Sequence, residues 1–167
     1  MRNFDKLILA VDFDGTCVTN DFPDVGKNIG AEIVLKQLVK DGAKIILHTM
    51  RSHPSDKTKN AKGDGIIPTG NDCLQDAINW FKINNIPLFG INENPEQHTW
   101  TDSPKPYAHR YIDDSALGVP LFIDNETKKR FVDWMSVARM LYGNGAEMDK
   151  IMDEFSEKYP TLVKKEQ

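Results

Sequence analysis

Residues 7–16, LILAVDFDGT, carry the strongest indication of the fold. Five apolar residues in succession are typical of a strand that is buried on both faces, as strands of parallel sheets are. The run ends in two carboxylates, Asp12 and Asp14, followed by Gly15, which lets the chain turn. Open α/β sheets bind ligands at the carboxyl ends of their strands, so we predict that both carboxylates lie at such a site. The alternative is an ordinary Asp-Gly turn after a strand.

Strand-like and helix-like segments alternate along the rest of the chain. Further strands are predicted at 44–49, 86–91 and 109–113, and apolar spacing predicts helices around 31–38 and 74–81. This order predicts an α/β fold with a doubly wound, Rossmann-like parallel sheet and right-handed crossovers. The pattern turns helical after Asp124, where Phe131 starts an apolar stripe. We therefore predict a single domain over 1–167, with a C-terminal helical extension from about residue 127.

Composition limits the classes of partner. A net charge of -4 and a pI near 5.6 argue against binding to nucleic acid or to an anionic membrane surface. The two cysteines, Cys17 and Cys73, have no metal-site spacing and are expected to be reduced thiols. The first residues lack the pattern of a signal peptide, and no apolar run is long enough to span a bilayer. We expect a cytoplasmic protein, and we leave a homo-oligomer open because the last helix could pack on a partner subunit.

Polar side chains that suit phosphate chemistry follow several of the predicted strands. A parallel sheet brings its strand ends to one edge, where we expect four carboxylates, a hydroxyl and an ammonium: Asp12, Asp14, Asp113, Asp114, Thr49 and Lys105. Four carboxylates would repel a phosphate unless a hard divalent cation lies between them, and Mg²⁺ prefers such oxygen ligands. One carboxylate could then act as a nucleophile, and another as general acid and base.

The order of these residues resembles the four motifs of the haloacid dehalogenase superfamily. Residues 12–16, DFDGT, resemble motif I, Thr49 resembles motif II, Lys105 motif III, and residues 113–114 motif IV. The resemblance covers roughly residues 5–120. An acidic residue two positions after the nucleophile is found in phosphatases of the superfamily, whereas its dehalogenases lack one.

The resemblance implies a role for each matched residue. Asp12 would be the nucleophile and a Mg²⁺ ligand, and Asp14 the general acid and base, with its backbone carbonyl also on the metal. Thr49 and Lys105 would bind the phosphoryl group, and the remaining two aspartates, Asp113 and Asp114, would complete the Mg²⁺ site. Lys105 lies closer to motif IV than in many members, as it does in small capless ones.

The surroundings of these motifs predict an open site. The gap after Thr16 and the loop at 51–70 are too short for a cap domain, so the resemblance is to a capless phosphatase. Arg51, two residues after Thr49, is predicted to bind phosphate. The loop lysines Lys57, Lys59 and Lys62 suggest a lid over the substrate, and a solvated surface loop is the alternative. His98 and Trp100 have two possible roles. They could contact the leaving group of a substrate, or they could simply pack within their loop.

These observations predict a Mg²⁺-dependent phosphatase that acts on a small-molecule phosphate ester through an aspartyl-phosphate. The alternative is a receiver-like phosphoacceptor, or a catalytically silent phosphate-binding module, on the same fold. Receivers carry adjacent acidic residues after the first strand and are phosphorylated on a later strand. Here the adjacent pair comes late, which disfavours that alternative. Turnover of a phosphate ester with Mg²⁺ separates the two.

Overall fold

A computed structural model describes residues 3–54, 72–125 and 127–163. Its central sheet has four parallel strands in the order β3-β2-β1-β4: β1 Ile8–Val11, β2 Lys44–Leu47, β3 Leu88–Ile91 and β4 Arg110–Ile112. The chain moves outward from β1 to β3 and then returns to pair β4 with the other side of β1. The strand order therefore reverses beside β1, the point at which open α/β sheets bind ligands. This confirms the predicted Rossmann-like α/β class.

The described residues form four helices that pack against the sheet: α1 Ala31–Lys40, α2 Cys73–Ile83, α3 Trp134–Tyr142 and α4 Ala146–Lys158. Helix α1 ends at Lys40, and the chain turns away at Gly42, which adopts a φ of 100° that few other residues tolerate. Helix α2 begins after Asp72, whose carboxylate accepts a hydrogen bond from the Gln75 N–H. None of the helices in the described ranges is long and apolar enough to cross a membrane.

The two faces of the sheet are covered differently. Side chains from all four helices share one buried cluster with alternate strand residues such as Leu9 and Ile45. The opposite face carries Ala10 and Ile46, which pack with Phe89 and form a much smaller cluster. The crossover from β3 to β4 contains a 3-10 turn, Gln97–Thr99, as its helical element. One face of the sheet is thus covered by helices and the other mainly by a loop.

The C-terminal part differs from the prediction. A hairpin of β5 Leu121–Ile123 and β6 Arg130–Val132 precedes α3, so helix begins at Trp134 and not near residue 127. Phe131 belongs to β6, where its ring stacks on Phe122 with the centroids 5.4 Å apart. Strands of three residues are too short to show alternation, and Phe131 happens to continue the helical spacing of α3.

Candidate active site

Three carboxylates meet at the carboxyl ends of β1 and β4. Val11 pairs with Ile112, and the Asp12 N–H donates to the Ile112 carbonyl at 2.9 Å, which extends the pairing by one residue. This register places Asp12 beside Asp113 and Asp114, although about a hundred positions separate them in sequence. One carboxylate oxygen from each lies within 4.8 Å of the others. We call these three residues the acid cluster.

The acid cluster concentrates negative charge. The pKa of Asp12 is raised to about 7, mainly by burial and also by the negative charges of Asp113, Asp114 and Asp14, against a hydrogen bond from the Phe13 backbone that lowers it. Burial and the charge of Asp113 also raise the pKa of Asp114. A divalent cation would relieve this repulsion, and three clustered carboxylates are a donor set that suits Mg²⁺. The residues therefore fit the metal that the sequence predicts.

The turn after β1 packs directly against the acid cluster. The Thr16 hydroxyl donates to Asp12 Oδ2 at 3.3 Å and accepts from the Asp114 N–H at 3.0 Å. Gly15 has a φ of 73°, and a Cβ at this position would lie 2.5 Å from Asp114 Oδ2. Only glycine allows this close approach. Thr16 thus links the two halves of the cluster, a role that its place in motif I did not predict.

Strand β6 and helix α3 form hydrogen bonds with the same turn. The Val132 N–H donates to the Gly15 carbonyl at 2.9 Å, and the buried Trp134 Nε1 donates to the Thr16 carbonyl at 2.6 Å. Strand β6 and helix α3 therefore satisfy backbone groups beside the acid cluster. Trp134 is a fully buried core residue, and no pattern in the sequence indicates its indole hydrogen bond.

Asp14 faces a different partner from the other aspartates. Its carboxylate is not part of the acid cluster. Instead Oδ2 and Oδ1 accept hydrogen bonds from Arg51 Nε at 2.8 Å and Nη2 at 2.7 Å. Any contribution of Asp14 to a metal would come from its backbone carbonyl, and that role stays a prediction.

This arrangement corrects the role predicted for Arg51. Its remaining N–H groups donate to the carbonyls of Pro23, Asp24 and Cys73 at 2.7–3.3 Å. The side chain is only 1% exposed. All five guanidinium donors are therefore used within the protein, and none is left for a phosphate. Arg51 is a partner of Asp14 and not a phosphate ligand in this structure.

Thr49 lies two residues beyond the end of β2 at Leu47, and it is buried. Its N–H donates to Asn92 Oδ1 at 2.8 Å, and its hydroxyl accepts from the Arg51 N–H at 3.2 Å. Asn92 follows β3, so a side chain from the neighbouring strand end orients the Thr49 backbone. A polar residue directly after a predicted strand was the only sequence signal for Asn92.

Lys105 is exposed and lies above Tyr111, with Nζ 4.9 Å from the ring centroid. Tyr111 precedes the acid cluster on β4, and the ring of His48 packs against its edge at 6.2 Å. Within the described part of the chain, Lys105 makes no ion pair with the acid cluster. Its predicted phosphate contact would need the flexible side chain to move from Tyr111 toward the strand ends.

Two other predicted contacts have different outcomes. Trp100 packs on Tyr107 at 5.6 Å, Tyr107 packs on His109, and His109 Nδ1 accepts from the Ile8 N–H at 3.0 Å. Ile8 begins β1 and lies about 13 Å along the strand from Asp12. Because Trp100 packs at this far end of β1, packing within the loop is favoured over contact with a substrate. The candidate lid lysines at 57, 59 and 62 lie outside the described residues.

Comparisons with known proteins support the fold. A solved structure of a conserved protein from Bacteroides thetaiotaomicron is similar, with a TM-score of 0.59 and 26% sequence identity, over 86% of this chain and 96% of that one. No family model matches the sequence, and no curated protein matches it. The similarity agrees with the α/β architecture and carries no statement of activity.

Proposed function

We propose that the protein is a Mg²⁺-dependent phosphomonoester hydrolase that works through an aspartyl-phosphate, as its resemblance to capless haloacid dehalogenase phosphatases implies. The observation that carries the proposal is the acid cluster, in which two strand ends bring three carboxylates within 4.8 Å of one another. A cluster with raised pKa values is costly to a fold, and such groups are concentrated at functional sites.

Each aspartate of the site has a separate role in the proposed reaction. Asp12, Asp113 and Asp114 would hold Mg²⁺, which neutralises charge on the cluster and on the phosphate and so keeps Asp12 ionised. In the first step Asp12 attacks phosphorus, the bond to the leaving oxygen breaks, and Asp14, which enters this step as the carboxylic acid, donates its proton to that oxygen. In the second step Asp14 takes a proton from water as the water attacks the aspartyl-phosphate, which releases inorganic phosphate and restores Asp12.

Hydrogen bonds in the structure support Asp12 as the nucleophile. Thr16 donates to Oδ2 of Asp12, which fixes the carboxylate and leaves Oδ1 for attack. Asp12 also directly follows β1, which lies between β2 and β4 in the sheet, and Thr49 lies just beyond the end of β2. A phosphoryl group bound there would contact the Thr49 region on one side and the metal on the other.

Phosphate release from 4-nitrophenyl phosphate in the presence of Mg²⁺ tests the proposal. We expect turnover by the wild-type protein, loss of turnover in EDTA, and loss in Asp12→Asn because an amide is a poor nucleophile. Asp102→Asn, an exposed carboxylate outside the site, is the matched control and should keep full activity. A folded Asp12→Asn protein with near wild-type turnover would contradict the proposal.

The phosphoacceptor alternative is distinguished in the same assay. A phosphoacceptor would release one equivalent of nitrophenol per protein and then stop, with the phosphate retained on Asp12. The pairing of Asp14 with Arg51 is the observation that favours this alternative, because a carboxylate whose two oxygens both accept from a guanidinium is less free to turn toward an attacking water, which would leave the acyl phosphate long-lived. Continued turnover over many equivalents excludes it.

A further inference from the structure

We infer that Arg51 is a positioning residue, which fixes the direction of the Asp14 carboxylate for proton transfer to the leaving group. The inference rests on the proposed function and adds to it a residue outside the reacting atoms. It begins from the two parallel hydrogen bonds between the guanidinium and the carboxylate, at 2.7 and 2.8 Å. Such a bidentate pair defines the plane of the carboxylate as well as its position.

The guanidinium is itself held rigidly. Three further hydrogen bonds join it to the carbonyls of Pro23, Asp24 and Cys73, which belong to two segments remote from each other in sequence. The guanidinium carbon Cζ also lies over the ring of Phe13, 4.9 Å from its centroid. Rotation of Arg51 would break five hydrogen bonds in a buried place, so Asp14 rests against a fixed support.

The pairing leaves Asp14 chemically available. Each carboxylate oxygen has about two lone-pair sites, and Arg51 uses one on each. The Asp14 side chain is 18% exposed, whereas that of Arg51 is 1% exposed. The free side of the carboxylate can therefore face a substrate oxygen or a water, while Arg51 cannot reach either. Arg51 acts on the reaction only through Asp14.

A lysine at this position would not reproduce the support. Lysine is a point charge on a flexible stem, while arginine presents a planar fork that matches a carboxylate. Arg51→Lys keeps a positive charge near Asp14 but loses the plane defined by two parallel bonds. Arg51→Gln keeps a donor and loses the charge. In both variants the Asp14 carboxylate gains rotational freedom, so proton transfer should suffer more than the attack by Asp12.

The dependence of the rate on the leaving group separates positioning from a purely structural role. Phenol is a far weaker acid than 4-nitrophenol, so phenyl phosphate needs a proton on its leaving oxygen, whereas 4-nitrophenyl phosphate hardly does. The two substrates have nearly the same shape. We measure kcat/KM for both, with Mg²⁺ present, in the wild type and in Arg51→Lys and Arg51→Gln.

In the Arg51 variants we expect kcat/KM for phenyl phosphate to fall by about tenfold or more relative to that for 4-nitrophenyl phosphate. The ratio of the two values does not depend on how much of the variant is folded, so partial unfolding cannot produce this result. Tyr142→Phe is the control, because it removes a buried hydrogen bond to Asp41 at 2.8 Å, away from the strand ends that form the site. Its ratio should equal that of the wild type.

Two outcomes overturn the inference in distinguishable ways. If both substrates slow equally in the Arg51 variants while the wild type is active, Arg51 has a structural role only and the proposed function stands. If the wild type hydrolyses neither substrate, the proposed function fails and the inference fails with it. A double variant adds a second measurement: Arg51→Lys introduced into Asp14→Asn should leave the substrate ratio unchanged, since its target is already gone.

Discussion

In the absence of divalent metal, the free energy of unfolding of the protein should fall as the pH rises from about 4 to about 7. The cause is the acid cluster, in which burial and the neighbouring charges raise the pKa of Asp12 to about 7 from an ordinary 3.8. Between these two values the unfolded chain has released the Asp12 proton while the folded protein still holds it. Each increase in pH in this window therefore favours the unfolded chain.

The size of the effect follows from the two pKa values. A rise from 3.8 to about 7 corresponds to roughly 4 kcal/mol, which the metal-free fold loses in full above pH 7. The raised pKa of Asp114 acts in the same direction. Asp21 and Asp72 have lowered pKa values because of their hydrogen bonds, so their contributions change below about pH 4, outside the window.

Urea unfolding followed by tryptophan fluorescence, in EDTA at several pH values from 4 to 8, measures this loss. Asp12→Asn is the matched variant, because an amide has nearly the same shape and does not titrate. Its free energy of unfolding should rise relative to that of the wild type by up to roughly 4 kcal/mol across the window. Mg²⁺ at a hundred times its dissociation constant should restore about 2.7 kcal/mol to the wild type.

A constant difference in the free energy of unfolding between wild type and Asp12→Asn from pH 4 to 8 in EDTA would contradict this prediction. It would mean that Asp12 titrates near its ordinary pKa and that the three carboxylates are solvated. If the pH effect has the expected size but Mg²⁺ does not reverse it, the mutual repulsion of the three carboxylates is supported. The acid cluster is then not a Mg²⁺ site.

Three substitutions test the surroundings of the site. Gly15→Ala should destabilise the protein by about 1–3 kcal/mol and weaken Mg²⁺ binding in a titration, because its methyl group would displace Asp114; unchanged binding would contradict the close approach. Trp134→Phe should cost about 1–3 kcal/mol in urea unfolding through the unpaired Thr16 carbonyl, and a neutral result would remove α3 as a support. Asp133→Ala should cost about 1 kcal/mol as a lost helix N-cap, with no change in Mg²⁺ binding.

Much of the fold could be predicted because its signals are local. The apolar run before Asp12 and the spacing of residues in α1 and α2 each report burial over a few neighbouring positions. The boundaries were less accurate, since β2 ends at Leu47 and not at residue 49. The β5–β6 hairpin was missed because three-residue strands carry too little pattern, and Phe131 fitted the wrong period.

Some features of the candidate site could likewise be predicted from the sequence, whereas others depend on the tertiary structure. That Asp12 and the pair at 113–114 would meet follows from a general property of parallel sheets, whose carboxyl ends share an edge, and the acid cluster agrees with that expectation. Thr16 was visible as a motif residue, but its bonds to both Asp12 and Asp114 depend on the register of β1 and β4. Lys105 was placed at the site by its motif, whereas the structure rests it on Tyr111.

The parallel α/β class and the set of carboxylates at the strand ends follow from the amino-acid sequence, because hydrophobic periodicity and the residue that follows each strand are properties of neighbouring positions. The partner of Arg51 depends on the three-dimensional fold. A buried guanidinium must satisfy five donors, and its acceptors come from Asp14, from Pro23 and Asp24, and from Cys73. No local pattern brings those segments together, since their meeting depends on how the loops pack over the ends of β1 and β2.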